Sequence, residues 1–166
     1  MRALKRAQVL PLSSMGLRLL ITPADREWAL NAVSEASSQF KSFCAHGLQP
    51  YDYREAPEPF PEKYISGIII SRIWLRHFKK SKGINRAHSS YGLKHVAENW
   101  SGKYVCNGAL IAAAAGLGIQ QIPVFPDSPN TYLAISYGSW KHGFSDHYGV
   151  SNMSHVIESI LSEPLV

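Results

Sequence analysis

Residues 89–116 read SSYGLKHVAENWSGKYVCNGALIAAAAG, and their pattern predicts two helices packed against each other. Ser89 or Ser90 is suited to cap the first helix, whose apolar residues share one face. The Ser-Gly-Lys turn at 101–103 ends that helix, and a second helix from about 105 to 115 carries four consecutive alanines before a glycine. Small side chains on nearly every face of this second helix imply close packing on all sides. We therefore predict a packed helical hairpin over about 89–116.

Two further helices are predicted on the N-terminal side of the hairpin. Thr22 is suited to cap the first of them, Pro23 fits its first position, and helical spacing of apolar residues continues until Gly47. The second is predicted from about 62 to 80, with isoleucines in its first half and a basic stripe in its second half. The isoleucine run also fits a buried strand, because periodicity does not separate the two structures in a short run.

The chain changes character after the hairpin. Short β-like runs at 119–125, 132–137 and 144–150 alternate with turns that contain proline or glycine, which favours two or three antiparallel strands. A final helix is predicted after Ser151 or Ser154. The fold class predicted from these elements is α+β, with four to five helices and a small antiparallel sheet mostly in the C-terminal third.

The remaining segments are predicted to lie outside the regular core. Residues 1–14 form a loose basic arm and 17–21 a short strand, while the prolines of 49–61 favour an extended connection. A length of 166 residues is close to the commonest domain size. We therefore predict one globular domain over 1–166.

The composition of the chain excludes several protein classes. Hydrophobic residues make up 45% and charged residues 17%, unlike the polar profile of a disordered protein. The longest uncharged apolar run, 106–122, contains three amide side chains and falls short of the ~20 residues that cross a bilayer, so we expect no membrane segment. Two cysteines form neither a disulfide framework nor a CxxC metal spacing, so we expect a reducing, cytoplasmic setting. No cofactor is predicted.

Charge is distributed unevenly along the chain. Residues 63–97 contain eight basic residues and no aspartate or glutamate, whereas the rest of the chain has nine basic and twelve acidic residues. Such a segment favours an anionic partner, either nucleic acid or an acidic protein surface. The alternative is a solvated face neutralised by acidic residues from elsewhere, such as Glu55, Glu58 and Glu62.

The predicted binding residues lie in and around this segment. Trp74, Phe78 and Tyr91 are near enough in sequence to add stacking on bases. The residues expected to contact the partner are Arg72, Arg76, Lys79, Lys80, Lys82, Arg86, Tyr91, Lys94 and His95.

The densest group of polar residues lies at 85–98. On a helix, Tyr91, His95 and Glu98 share a face beside Lys94, and that face is expected to be exposed. General acid–base chemistry is one use of such a group, and a solvated helix face with local ion pairs is the other.

A thiol hydrolase is the alternative from a different functional class. Cys106 lies where a helix begins, so the helix dipole is expected to lower its pKa, and His142, Asp146 and His147 follow downstream as partners. The competing interpretation is a small buried side chain beside the alanines. The downstream histidines have no recognised metal-site spacing, so no metal is predicted.

Three segments also carry a resemblance. They are Ile84-Asn85 with 89–98, the run YVCNGALIAAA at 104–114, and SPNTY at 128–132. Together they resemble a block found in short, uncharacterised bacterial proteins of phages, plasmids and integrative elements, over roughly 84–136. The resemblance implies an accessory protein of a mobile element, a class rich in nucleic-acid binders and in inhibitors of host defence. It implies no activity or site residues, and serine is common where Cys106 stands, which weakens a nucleophilic role for the thiol.

These observations favour a non-enzymatic binding protein with a basic surface centred on 72–94. Its expected partner is nucleic acid or an acidic face of a nucleoprotein complex. An inhibitor that occludes a partner protein would use the same surface, and the thiol hydrolase remains the enzymatic alternative.

Overall fold

The computed structural model describes residues 21–49 and 60–136. The predictions for 1–14, for most of 17–21 and of the 49–61 connection, for 144–150 and for the final helix lie outside the described residues. Four α-helices and two small antiparallel sheets make up the described part, which confirms the α+β class. The helices are α1 (Pro23–Gln39), α2 (Ile65–Leu75), α3 (Ser90–Ser101) and α4 (Asn107–Gly116), and a 3₁₀ turn, Glu62–Tyr64, precedes α2. The strands are β1 (Phe43–Cys44), β2 (Gly47–Leu48), β3 (Lys79–Ser89), β4 (Gln121–Pro123) and β5 (Thr131–Ser136).

Helix α1 begins as its sequence predicts. The Thr22 hydroxyl accepts a hydrogen bond from the Asp25 backbone N–H, and the Asp25 carboxylate accepts one from the Thr22 N–H, both at 3.1 Å. The predicted end at Gly47 is wrong, because the helix ends at Gln39. Residues 43–48 instead form the β1–β2 hairpin, in which Gly47 has φ = +119°. A positive φ favours glycine, so the hairpin, and not a helix end, accounts for the glycine at this position.

Helix α4 is the centre of the core, as the predicted hairpin requires. Nine of its ten residues are buried, and it packs against α1, α2 and α3. Gly102 ends α3 with φ = +65° and donates its N–H to the Glu98 carbonyl at 2.8 Å. A Cβ at Gly116 would lie 2.6 Å from the Ala32 Cβ, so α1 and α4 are in close contact there. The packed helical hairpin over about 89–116 is confirmed.

The segment after α2 is where the sequence-based prediction fails. The helix ends at Leu75 rather than near 80, and the predicted basic turn at 80–83 is part of strand β3. Lys79 pairs with Ser136 and Lys80 with Ile135 on β5, which lies some fifty residues later in the chain. Because this pairing is non-local, neither helical periodicity nor local turn chemistry reports it. Lys79 consequently does not share a helix face with Arg72 and Arg76.

The three-stranded sheet has the order β3-β5-β4, with both pairs antiparallel. The strands predicted at 119–125 and 132–137 are confirmed in shortened form as β4 and β5. Among the described strands, β3 lies at an edge of the sheet. In the described part of the chain, no helix is long and apolar enough to cross a membrane.

Candidate functional site

Strand β3 carries four of the nine predicted binding residues. Its pairing with β5 is irregular in two places. The five-residue step from Lys80 to Asn85 on β3 lies opposite a two-residue step on β5. The four-residue step from Asn85 to Ser89 lies opposite a one-residue step on β5. Extra residues therefore bulge out of the strand in both intervals. Lys82 lies in the first bulge and Arg86 in the second, and both side chains are exposed.

We call the exposed cations of this strand the basic edge: Lys79, Lys80, Lys82 and Arg86. None of them forms an ion pair with a carboxylate of residues 21–49 or 60–136. The sheet thus presents an edge with four positive charges, two of them on protruding backbone. Exposed charges of one sign on a single strand raise the positive potential of the surface around it.

The other predicted cations lie in different surroundings. Arg76 is exposed at the C-terminal cap of α2. Arg72 is half-buried between α1 and α2, where its Nη1 lies 3.4 Å from an Asp25 carboxylate oxygen and its guanidinium 4.2 Å from the centre of the Trp28 ring. Burial lowers the pKa of Arg72 despite the nearby carboxylate. Arg72 is therefore a packing residue that joins two helices.

Two of the three aromatic residues expected to stack on bases are in the core. Trp74 is fully buried and Phe78 is buried, with ring centres 4.7 Å apart in an edge-to-face contact. The prediction that these two side chains stack on bases is therefore wrong. Tyr91 is 53% exposed and remains able to stack.

A cleft of about 400 Å³ opens beside Tyr91. It lies where the first turns of α3, the link between α3 and α4, the β1–β2 hairpin and the turn before β5 meet. Its lining residues are His46, Tyr91, Lys94, Tyr104, Asn107, Pro129 and Asn130. The sequence pattern indicated Tyr91 and Lys94 but not the other lining residues, which come from four separate segments.

Lys94 lies in this cleft as a buried cation, not as the exposed residue that we expected. Its side chain is 8% exposed, and its Nζ donates hydrogen bonds to the two Glu98 carboxylate oxygens at 3.1 and 3.3 Å. The same carboxylate accepts a hydrogen bond from the Val105 N–H at 3.1 Å and lies 2.7 Å from Nδ1 of His95. Glu98 therefore neutralises Lys94 and ties α3 to the start of the α4 region.

The predicted polar cluster of α3 does assemble. The rings of Tyr91 and His95 meet edge to face with centres 4.6 Å apart, and the imidazole of His95 is partly exposed. His95 thus contacts Tyr91 but does not line the cleft.

Tyr104 forms a second aromatic wall and is 61% exposed. The Lys94 Nζ lies 5.3 Å from the centre of the Tyr104 ring and 5.4 Å from that of Tyr91, so the cation is flanked by two rings. Partial burial, with a further contribution from Cys106, raises the pKa of Tyr104, which therefore stays a neutral phenol. The sequence feature that could have indicated Tyr104 as a site residue is the presence of an aromatic residue in the polar link between two helices.

Asn107 holds the opposite wall in place. Its Nδ2 donates to the Pro129 carbonyl at 2.8 Å and to the Asn130 Oδ1 at 3.0 Å, and it lies 3.3 Å from the His46 carbonyl. A Cβ at Gly47 would collide with the Pro129 carbonyl, and one at Gly108 with the Cys44 carbonyl. The backbones of these segments therefore approach each other closely at this wall. The Asn107 Oδ1 is buried and has no hydrogen-bond partner among the described residues.

Cys106 has the properties of a core side chain. It is 1% exposed at the N-cap of α4, and burial raises the pKa of its thiol to about 11. The expectation that the helix dipole lowers the pKa of Cys106 is therefore wrong, because the effect of desolvation is larger. Its proposed partners His142, Asp146 and His147 lie outside the described residues. Within 21–49 and 60–136, no group of three potential metal ligands assembles.

Comparison with the models of known protein families, with curated proteins and with solved structures finds no significant match.

Proposed function

We propose that this protein is a non-enzymatic accessory protein that binds nucleic acid through its basic edge. The observation that carries the proposal is the set of four exposed cations on one edge strand, unpaired by any carboxylate of the described residues. Phosphate groups are the natural counter-charge for such a surface, and their neutralisation releases counterions from the nucleic acid.

The form of β3 supports phosphate contacts in particular. Two bulges carry Lys82 and Arg86 away from the ladder with β5, so their side chains reach beyond the sheet. An edge strand also keeps backbone N–H groups available to phosphate oxygens. Lysines on an edge strand can also serve to prevent the strand from pairing with another sheet. That role requires no affinity for polyanions, so a binding experiment distinguishes it from nucleic-acid binding.

The chemistry around Cys106 favours a binding function over catalysis. A thiol that is 1% exposed and has a pKa of about 11 is a poor nucleophile at neutral pH. The resemblance to proteins of mobile elements supports the accessory context, in which nucleic acid is a frequent partner.

The test is fluorescence anisotropy with labelled single- and double-stranded oligonucleotides over a series of salt concentrations. We expect binding that weakens steeply with salt, and a K79E/K82E variant that binds less tightly and with a smaller salt dependence. The matched control is K41E/K63E, which reverses two exposed lysines outside β3. The proposal is wrong if nothing binds at low salt, or if both double variants bind like the wild type. In that case an acidic protein surface becomes the partner to seek for the basic edge.

A further inference from the structure

The basic edge and the cleft adjoin each other along the chain. Strand β3 ends at Ser89, α3 begins at Ser90, and Tyr91 at the mouth of the cleft is the next residue. A polymer whose phosphates follow β3 is therefore led towards the cleft. We propose that the cleft between Tyr91 and Tyr104 binds one unpaired nucleobase of a single-stranded nucleic acid whose backbone lies on the basic edge.

The aromatic walls of the cleft suit a planar ligand. Tyr91 and Tyr104 are the two most exposed tyrosines among the large hydrophobic residues of the described part, although a tyrosine usually packs much of its ring against the protein. Each presents a π-face near the Lys94 ammonium. Proteins that bind single-stranded nucleic acid stack its unpaired bases on aromatic faces of this kind, whereas the bases of a duplex are stacked on each other and not accessible.

The charge in the cleft favours a neutral group over a phosphate. Lys94 is neutralised by Glu98 at 3.1 Å, so a phosphate entering the cleft would meet the carboxylate as well as the ammonium. The ammonium has three N–H donors, and Glu98 accepts two hydrogen bonds from it. The third donor suits a carbonyl oxygen of the ligand. The phosphates therefore bind to the basic edge, and the base binds in the cleft.

A carbonyl requirement makes the inference selective among bases. Thymine, uracil, guanine and cytosine have a ring carbonyl and adenine has none, so Lys94 favours oligothymidylate over oligoadenylate. A volume of about 400 Å³ accommodates a group of this size. The wall held by Asn107 supplies the amide of Asn130 at the edge of the site.

The experiment measures oligothymidylate binding by anisotropy, with oligoadenylate and a duplex of equal length for comparison. We expect Tyr91→Ala and Tyr104→Ala each to weaken oligothymidylate binding on the order of tenfold without changing its salt dependence. Tyr91→Phe should retain the affinity because the ring is kept. Phe125→Ala is the matched control, since Phe125 is an exposed aromatic residue that does not line the cleft. Duplex affinity should be the same in all four variants.

The inference rests on the proposed function, and the outcomes separate the two. If K79E/K82E weakens binding while both tyrosine variants bind oligothymidylate like the wild type, the cleft is not a base site and the basic edge stands. If oligothymidylate is not preferred over oligoadenylate, the role of Lys94 is overturned.

Titration with thymidine, which has no phosphate, gives an independent reading by NMR. We expect shifts of the backbone amides around Tyr104 and Asn130 in the wild type and in K79E/K82E, and none in Tyr91→Ala. Thymidine binding without any oligonucleotide binding would overturn both the proposed function and the single-strand inference. Absence of thymidine shifts together with unaffected tyrosine variants would overturn the inference alone.

Discussion

The ammonium of Lys94 lies 3.1 Å from Oε1 of Glu98, one helical turn further along α3, and both side chains are largely buried. Glu98 also accepts a hydrogen bond from the Val105 N–H, so one carboxylate holds the cation and the chain entering α4. The pair thus links the wall of the cleft to α4, nine of whose ten residues are buried. Its main consequence is that the cleft contains a neutral ion pair and not a free positive charge.

Removal of the Glu98 charge should destabilise the protein. Glu98→Gln leaves Lys94 without its counter-charge, and we expect a loss of about 2–3 kcal/mol in the free energy of unfolding by urea. This is below the cost for a fully buried pair because Glu98 is 17% exposed. The double variant Lys94→Met/Glu98→Gln should recover part of the loss, since it also removes the ammonium that the single variant leaves without a counter-charge. The amide oxygen introduced at position 98 can accept a hydrogen bond from the Val105 N–H in both variants. A Glu98→Gln protein as stable as the wild type would contradict the role assigned to the pair.

Glycine substitutions test the close approach behind the cleft. Gly108→Ala places a methyl group against the Cys44 carbonyl and the Ala45 backbone, so we expect a loss above about 2 kcal/mol. Gly92→Ala is the matched control, because Gly92 lies in α3 with nothing near its Cβ position. That variant should gain about 0.5–1 kcal/mol from helix propensity. Equal effects of the two substitutions, measured by urea unfolding, would refute the tight contact.

The buried thiol predicts a pH dependence of stability. The pKa of Cys106 is raised to about 11 in the folded protein, from an ordinary value of 9.0. Between these values the unfolded chain has already lost the proton while the folded one keeps it, so stability falls as pH rises from about 9 to 11, by about 2 kcal/mol. Cys106→Ala should lack this contribution. Superimposable wild-type and variant stability curves over that range would contradict the burial of the thiol.

Arg72 is expected to support the fold and not the binding of nucleic acid. Its guanidinium packs on Trp28 and pairs with Asp25, so Arg72→Met should cost about 1 kcal/mol in stability. Oligonucleotide affinity and its salt dependence should stay unchanged. A reduced salt dependence in Arg72→Met, measured by anisotropy, would place this residue in the interface after all.

Local signals account for what the sequence predicts well. The Thr22 capping box, the glycine at 102 and the alanine-rich helix each depend on neighbours within a few residues. Strand β3 depends instead on β5, about fifty residues away, and so its lysines are assigned to a helix and a turn. Non-local pairing overrides local preference here.

The cleft shows the same limit at the level of a site. Tyr91 and Lys94 stand out in sequence because they share a polar stretch of one helix. Tyr104, Asn107 and His46 join them only through the approach of α3, α4 and the β1–β2 hairpin. The burial of Lys94 could not be predicted either, since a lysine within a polar helix face is usually exposed.

The salt dependence of single-stranded oligonucleotide binding tests the central claim most directly. For the wild type and for K79E/K82E, the slope of log affinity against log salt concentration should differ by about 1.4, because each lost phosphate contact changes it by about 0.7. The K41E/K63E control should keep the wild-type slope. Equal slopes for the wild type and K79E/K82E, or no binding at low salt, would contradict a phosphate-binding role for the basic edge.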